Sequence, residues 1–228
     1  MLHHTEGIVF GALKYKESSL IVRIFTFAFG MQSYVVNGVR SSKSQGKTAL
    51  YQPLTLLDMV VYHQPQRDLH RISEAKLKHA YQQLPFDPVK RAIALFLTEV
   101  FGKVLREESE NMGLFHFLKN GFLVLDEQPS QVGNFHLQML LQATLHLGFG
   151  PANGADLLHQ LQESGVHFSM LANEQDALDR LMAEPLGTKI NVKYAFKKDL
   201  LEHILKFYQI HTDALREIKS LEILKNIS

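Results

Sequence analysis

The sequence of 228 residues contains no cysteine, which excludes disulfide bonds and thiolate metal sites. A chain without cysteine suits a reducing compartment, and we expect a cytoplasmic location. Long apolar runs are also missing, since no stretch approaches the roughly 20 apolar residues that a transmembrane helix needs. The amino terminus, MLHHTEG, lacks the basic and apolar regions of a secretory signal. The sequence therefore predicts a soluble protein with no membrane partner.

Motifs of the common enzyme classes are absent too. The sequence has no Gly-x-Ser-x-Gly nucleophile motif, no reactive cysteine and no histidine pair of the HxxxH or HExxH type. Its 12 histidines are scattered, and we predict surface or structural roles for them. The acidic residues are spread through helical segments, as on solvated helix faces. We therefore predict a protein that is not an enzyme and that binds neither a metal nor a cofactor.

A near match to a nucleotide-binding P-loop occurs in the stretch VRSSKSQGKTALYQP, residues 39–53. The motif requires a first glycine five residues before the glycine of Gly46-Lys47-Thr48, and that position holds Ser41. A P-loop also continues into a helix, whereas Pro53 follows soon after and the flanking segments alternate like strands. The stretch is therefore not predicted to bind ATP.

Positive charge is concentrated in the first 80 residues, which hold 10 basic and 5 acidic residues for a formal charge of +5. The remaining residues hold 14 basic and 18 acidic ones, for a charge of −4. Arg40, Lys43 and Lys47 stand among serine, glutamine and threonine in a stretch without acids, which is typical of a loop that contacts phosphates. A surface loop without a ligand has the same composition, so both interpretations stay open.

Alternating apolar residues predict β-strands in the first 80 residues. The sets that share a face are Ile8, Phe10 and Ala12, then Leu20, Val22 and Ile24, then Tyr34 and Val36. Four to five strands with short turns and no crossover helix indicate a small antiparallel barrel or a sandwich. Tyr34, Tyr51 and Tyr62 would belong to its core or rim, or would stack on nucleic-acid bases.

The periodicity changes at Leu84-Pro85-Phe86-Asp87-Pro88, where Asp87 is predicted to cap a helix that begins at Pro88. Apolar residues then recur at three- and four-residue spacing. Further helices are predicted near Gly113, over 135–147, near Asp176, over 197–210 and over 215–224. The clearest helix break is predicted at Gly148-Phe149-Gly150-Pro151. The predicted fold class is therefore α+β with more than one domain, a small antiparallel barrel or sandwich followed by an all-helical domain.

Several segments of the chain carry a family resemblance. In the first half these are TEGIV (5–9), YKESSLIV (15–22), GVRSSKS (38–44) and QPL (52–54). In the second half they are LGFGP (147–151), KDLL (198–201) and IKSLEIL (218–224). In this order and spacing they resemble the RecO family of bacterial recombination mediators, over most of the chain.

The resemblance implies an OB-fold over residues 1–81 that binds nucleic acid, and a helical domain over residues 82–228 that binds partners. RecO proteins are mediators of DNA repair and recombination, and they are not enzymes. They bind single- and double-stranded DNA and promote strand annealing. With RecR they help to load RecA onto DNA coated by single-stranded-DNA-binding protein, whose C-terminal tail they contact. The resemblance thus implies a cytoplasmic protein that associates with the nucleoid during repair.

The residues that correspond to the basic loop of the family are Arg40, Lys43 and Lys47, and we predict that they contact DNA. Arg23 and Lys14 are further candidates, although a register slip of one residue would reverse the faces of their strands. The alternative is a scaffold for protein interactions that has only incidental DNA contact. The two hypotheses differ in their salt response, because phosphate binding weakens with salt and apolar binding does so much less.

One departure from the family concerns zinc. Many RecO proteins carry a four-cysteine zinc module after the segment that corresponds to 147–151, but residues 153–172 contain no cysteine. We therefore expect a cysteine-free replacement near 152–175, in which packing of apolar side chains substitutes for the metal. The predicted members of that small core are Leu157, Leu161, Val166 and Phe168.

Overall fold

The computed structural model of the chain describes residues 1–39, 47–105, 109–128, 132–166, 174–215 and 217–225, with the backbone alone at 194, 195 and 225. The chain divides into two compact units. The first, which we call the barrel unit, comprises Met1–Tyr81 and Thr98–Lys119, and the second, the helical unit, comprises Gln82–Leu97 and Asn120–Ser228. Within the described ranges, no helix combines the length and the apolar character that are required to cross a lipid bilayer.

Five β-strands in the described part of the first unit close into a barrel, in the order β1-β2-β3-β5-β4. The strands are β1 (Leu2–Tyr15), β2 (Ser19–Thr26), β3 (Gly30–Val36), β4 (Leu56–Tyr62) and β5 (His70–His79). Neighbouring strands are antiparallel, except that β3 and β5 are parallel. Because the order of strands is closed, the fold is a barrel of the OB type and not a sandwich. The predicted fold class is confirmed.

Strand alternation places one face of each strand in the barrel interior. Val22 of β2 and Tyr34 of β3 are fully buried in this core, as the pattern predicts. In β1 the core residue is Val9, so Ile8 and Phe10 take the outer face. A β-bulge between Val9 and Gly11 ends the alternation. The predicted apolar set of β1 therefore does not share one face: Ile8 and Phe10 take the outer face, whereas Ala12, beyond the bulge, is in register with the core residue Val22.

Seven α-helices lie in the described ranges: α1 (Pro88–Val104), α2 (Met112–Glu127), α3 (Phe135–Leu147), α4 (Gly154–Glu163), α5 (Glu174–Ala183), α6 (Tyr194–His211) and α7 (Leu221–Lys225). Asp87 caps α1, because its Oδ1 accepts the backbone N–H groups of Val89 and Lys90 at 2.8 and 3.1 Å. The predicted start at Pro88 is confirmed. The last helix is shorter than the predicted 215–224.

Helical residues 98–104 and 112–119 cover the outer face of β1 and β2 within the first unit. The ring of Phe115 lies 6.1 Å from that of Phe25, and a Cβ on Gly102 would lie 3.7 Å from the ring of Phe10. Strands that are covered in this way carry apolar residues on both faces. This cover explains why the outward side chains of β1 and β2 are buried as well.

Helix α3 forms the centre of the second unit, and α5 and α6 pack against it. Most of its side chains are buried, and the hydroxyl of Tyr208 on α6 donates a hydrogen bond of 2.7 Å to the carbonyl oxygen of Leu140. α3 ends at Gly148, whose φ of 84° lies in the left-handed region that glycine favours. The predicted helix over 135–147 and its glycine stop are confirmed.

A buried lysine holds two segments of the second unit together. Lys90 is completely buried, and its Nζ donates to the carbonyl oxygens of Asp126 and Gln128 and to Oε1 of Gln83, at 2.8, 2.6 and 2.7 Å. The Asp126 carboxylate in turn accepts the backbone N–H groups of 82–84. Burial alone would raise the pKa of Asp126, but these hydrogen bonds and the charge of Lys90 outweigh it, so the pKa lies below its ordinary value.

Leucine packing between α4 and α5 forms the core of the described part of 152–175, the segment for which the sequence predicts a cysteine-free replacement of a zinc module. The fully buried side chains there are Leu157, Leu161, Leu178 and Leu181. Val166 is half-buried, and Phe168 lies outside the described residues. Asn153 begins this segment by capping α4, since its Oδ1 accepts the backbone N–H of Asp156 at 2.9 Å.

Candidate nucleic-acid interface

An open cavity of about 340 Å³ lies on the surface of the barrel unit, between β3, β5 and a short 3-10 helix, Lys47–Tyr51. Two cations, Lys47 and Arg71, line it, and none of the acidic residues that the structure describes does. Both are exposed, and neither side chain forms a hydrogen bond or an ion pair with a described residue. Two cations in an acid-free cavity are able to bind the phosphates of a nucleic-acid backbone.

The 3-10 helix holds Lys47 at the edge of this cavity. Tyr51, at the end of the helix, is buried in the barrel core, and the Thr48 hydroxyl donates a hydrogen bond of 2.8 Å to the carbonyl oxygen of Val39. A P-loop would continue into an α-helix and would offer this hydroxyl to a metal ion. The geometry of this segment therefore differs from that of a P-loop on both counts.

Of the other predicted DNA contacts, the two that the structure describes, Arg23 and Lys14, do not line the cavity. Arg40 and Lys43 lie outside the described residues. Arg23 is half-buried on the outer face of β2, in register with Ser33 of β3, because its neighbours in the strand face the core. Lys14 is exposed near the end of β1. Of the predicted residues that the structure describes, only Lys47 is thus brought together with a second cation in this cavity.

Three tyrosines, for which the sequence allowed either a place in the barrel or a base-stacking role, have different environments. Tyr34 and Tyr51 are buried in the barrel core, and burial raises the pKa of both phenols. Tyr62 is 48% exposed on the outside of β4. Tyr62 is therefore the one of these three that is able to stack on a base.

Acidic charge on the barrel unit is neutralised at Glu6. Its carboxylate oxygens lie 2.6 Å from Nζ of Lys119 and 3.3 Å from Nζ of Lys78. Burial would raise the pKa of Glu6, but hydrogen bonds from the two lysines and their charges hold it below its ordinary value. Glu6 therefore balances part of the positive charge of this unit at a place that does not line the cavity of Lys47 and Arg71.

Stacked aromatic rings occupy one part of the barrel unit. The ring of His63 lies 3.9 Å from that of Phe29 and 4.5 Å from that of His70. Nδ1 of His70 accepts the backbone N–H of Gln64 at 3.4 Å, and Nε2 lies 2.9 Å from Oε1 of Gln32, which fits a neutral ring. Burial first, and then the neighbouring histidines, lower the pKa of His63. These rings therefore stabilise the fold as neutral groups.

Two histidines of the helical unit, His136 and His203, are buried. His136 is 3% exposed, and burial, with the charge of Lys197, lowers its pKa to about 3. His203 is hydrogen-bonded through Nδ1 to Oε1 of Glu174. In the part of the chain that the structure describes, no three histidine or acidic side chains are grouped closely enough to hold a metal ion.

Comparison with known families covers nearly the whole chain. Residues 1–81 match the family model described as "Recombination protein O N terminal", and residues 85–222 match the one described as "Recombination protein O C terminal". The chain belongs to the RecO family.

Curated relatives agree with this family along their full length. The DNA repair protein RecO of Christiangramia forsetii is 34% identical over 238 residues, which cover 100% of this chain and 99% of the relative. The RecO proteins of Flavobacterium psychrophilum and Phocaeicola vulgatus are each 34% identical as well, and cover at least 98% of both chains. The chain is thus a DNA repair and recombination protein of the RecO family.

Arg71 is the residue of the interface that the sequence did not predict. It stands in the run HRISEAKLKH, whose many polar residues obscure the alternation of β5. Its position beside Lys47 depends on the parallel pairing of β3 with β5, which joins Val35 to Arg71. The alternation of β5 could have placed Arg71 on the outer face, because the preceding residue, His70, faces the core. That Arg71 lies near Lys47 follows only from the closure of the barrel.

Proposed function

We propose that this RecO protein is a recombination mediator that binds single- and double-stranded DNA through residues 1–81, promotes strand annealing and, with RecR, helps to load RecA. Its helical domain, 82–228, would bind partners, among them the C-terminal tail of single-stranded-DNA-binding protein. The protein would act in the cytoplasm, at the nucleoid during repair, without catalysing a covalent reaction. Membership of the RecO family supports the whole proposal.

The observation that carries DNA binding is the acid-free cavity that Lys47 and Arg71 share. A cation without a partner is available to a phosphate, and each phosphate contact releases counterions from the DNA. Arg40 and Lys43 precede Lys47 closely in sequence and would extend the contact. Annealing follows if the protein neutralises the phosphates of two strands and leaves their base edges free to pair.

The test is fluorescence anisotropy of a labelled mixed-sequence single strand across a salt series, without nucleotide. About four phosphate contacts predict a log–log slope near −3. The double variant Lys47→Ala/Arg71→Ala should bind more weakly and flatten the slope by about 1.4, at roughly 0.7 per contact. A further variant, Arg40→Ala/Lys43→Ala/Lys47→Ala, should slow the annealing of complementary strands.

The matched control is Lys103→Ala/Lys206→Ala. It removes the same charge, but both lysines already pair with glutamates on their own helices, at 2.8 and 2.9 Å. The control should leave the slope unchanged. Binding with almost no salt dependence, or no binding at low salt, would contradict the proposal and favour the protein-interaction scaffold.

A further inference from the structure

An outward-facing row of side chains crosses the barrel beside the cavity of Lys47 and Arg71. Leu2 of β1 is in register with Tyr62 of β4, Tyr62 with Arg71 of β5, and Arg71 with Val35 of β3. Residues directly opposite each other in a sheet project from the same face. Neighbouring strands lie about 5 Å apart, so each member of the row is able to contact the next. We call these four residues the outer row.

The direction of the outer row follows from the burial of its neighbours in the strands. Val61 and His70, which adjoin Tyr62 and Arg71, are buried at 0% and 4% exposure. Alternation therefore turns Tyr62 and Arg71 outward. Tyr62 and Leu2 are 48% and 54% exposed, although both are large apolar groups. The row thus joins an exposed aromatic ring and an exposed leucine to a basic cavity.

The side chains of Tyr62 and Arg71 are both available to a ligand as far as the described residues show. The phenol and the guanidinium form no hydrogen bond, ion pair or ring contact with a described residue. An exposed aromatic ring gains free energy from stacking on a base, since every base has a π face. The guanidinium and the nearby lysine supply the positive charge that a phosphate backbone requires.

We infer that the outer row binds single-stranded nucleic acid, with an unpaired base stacked on Tyr62 and the adjoining phosphates on Arg71 and Lys47. This inference rests on the proposed DNA binding and goes beyond it, because contacts to phosphates alone do not distinguish a single strand from a duplex. In a duplex the faces of the bases are hidden in the stack, so Tyr62 contributes only to single strands. The outer row therefore gives the barrel a preference for unpaired DNA.

The experiment measures the anisotropy of one labelled sequence, both as a single strand and as a duplex, across a salt series. Tyr62→Leu should weaken single-strand binding about tenfold, with an unchanged salt slope and unchanged duplex binding. Tyr62→Phe keeps the ring and should bind like the wild type. Arg71→Gln should flatten the single-strand slope by about 0.7.

Lys76→Gln is the matched control for Arg71→Gln. Lys76 is an exposed cation on the same strand, but it lies in register with Asp58 and does not line the cavity. This control should leave the slope unchanged. Thermal unfolding of each variant verifies the fold, and Tyr62→Leu changes only an exposed position.

A second measurement tests the contact directly. A single strand that carries iodouracil is irradiated with the full-length protein, and the cross-linked peptide is identified by mass spectrometry. The expected cross-link is to Tyr62. Cross-links that lie only at other residues, or an oligo-aspartate peptide that competes as well as a single strand of equal charge, would overturn the inference.

The outcomes separate this inference from the proposed function. If the wild type binds DNA but Tyr62→Leu has no effect, or weakens single strand and duplex equally, the outer row is not a base-stacking site and the proposed function stands. If the wild type binds neither form of DNA at low salt, the proposed function itself fails.

Discussion

Two cations, one in each unit, show how differently this chain uses positive charge. Lys90 of the helical unit is completely buried and donates to three oxygen acceptors, so its charge stabilises the fold. Lys47 of the barrel unit is exposed, lines a cavity with Arg71 and has no described partner. A buried ammonium is costly unless it is fully hydrogen-bonded, whereas an exposed one remains available to an anion. The environment of a lysine, rather than the charge count, therefore indicates its role.

The largest expected effect comes from removing the buried cation. Lys90→Met leaves two backbone carbonyl oxygens without their donor and should lower the free energy of unfolding by about 3 kcal/mol. Urea denaturation at pH 7 measures it. Lys47→Met, the matched change at an exposed site, should alter stability by less than about 0.5 kcal/mol. Equal losses of unfolding free energy in the two variants would contradict the distinction between a structural Lys90 and an available Lys47.

The second largest loss of stability is expected at Asp126, because its carboxylate accepts the backbone N–H groups of 82–84 and its carbonyl oxygen accepts from Lys90. Asp126→Asn weakens the charge-assisted bonds to the backbone of 82–84 and should cost about 2 kcal/mol at pH 7. Because the pKa of Asp126 is lower in the folded chain than its ordinary value of 3.8, the ionised carboxylate stabilises the fold fully above about pH 3.8. This contribution is lost as the pH falls through the folded-state pKa. The difference between variant and wild type should therefore shrink in acid, and a difference that does not change with pH would contradict this account.

His136 supplies a third test. It is buried like Lys90, but its burial disfavours the protonated ring, whereas the charge of Lys90 is held by three hydrogen bonds. Its pKa is about 3 in the folded chain against an ordinary value of 6.5. The unfolded chain therefore binds the proton first, so the neutral ring stabilises the fold fully above pH 6.5, and the contribution falls as the pH drops from 6.5 towards 3. His136→Leu should reduce the pH dependence of stability by up to about 1.4 kcal/mol per pH unit in that window.

Measurement of unfolding free energies at several pH values between 4 and 7 checks this expectation. Other histidines add to the slope of both proteins, so only the difference between them reports on His136. Identical slopes in the two proteins would mean that His136 binds its proton equally in the folded and the unfolded chain, and would contradict this expectation.

The smallest expected effect concerns the acid that balances part of the barrel charge. Glu6→Gln releases Lys78 and Lys119 and should strengthen DNA binding about twofold at low salt, with a steeper salt slope. Stability should fall by less than about 1 kcal/mol, since the ion pairs are partly exposed. Glu74→Gln removes an equal charge from an exposed site on β5. The same gain in both variants would show that net charge, and not the release of two lysines, is responsible.

Local signals in the sequence predicted much of the architecture. The Asp87-Pro88 pair marked the start of α1, and the glycine after 135–147 marked the end of α3, because caps and stops depend on residues that are adjacent in the chain. The face of β1 was less predictable. The bulge after Val9 and the helices that cover Ile8 and Phe10 make both faces of this strand apolar, so alternation does not show which one lines the barrel.

The candidate site was predictable only in part. The basic loop that ends at Lys47 is visible as a run of polar and basic residues without acids, and the positive balance of the first 80 residues indicated a polyanion as ligand. Neither Arg71 nor the outward position of Tyr62 was predicted, because both depend on long-range pairing between strands.

The sequence by itself determined the division into strands and helices, the exclusion of thiolate chemistry and the location of positive charge, because these depend on composition and on spacing within a segment. Only the tertiary structure decided which charges meet. The parallel pairing of β3 with β5 brings Arg71 to Lys47, and the burial of Lys90 removes it from the surface. Closure of the barrel and packing of the helices set these distances, and residues far apart in the chain become neighbours only when those contacts form.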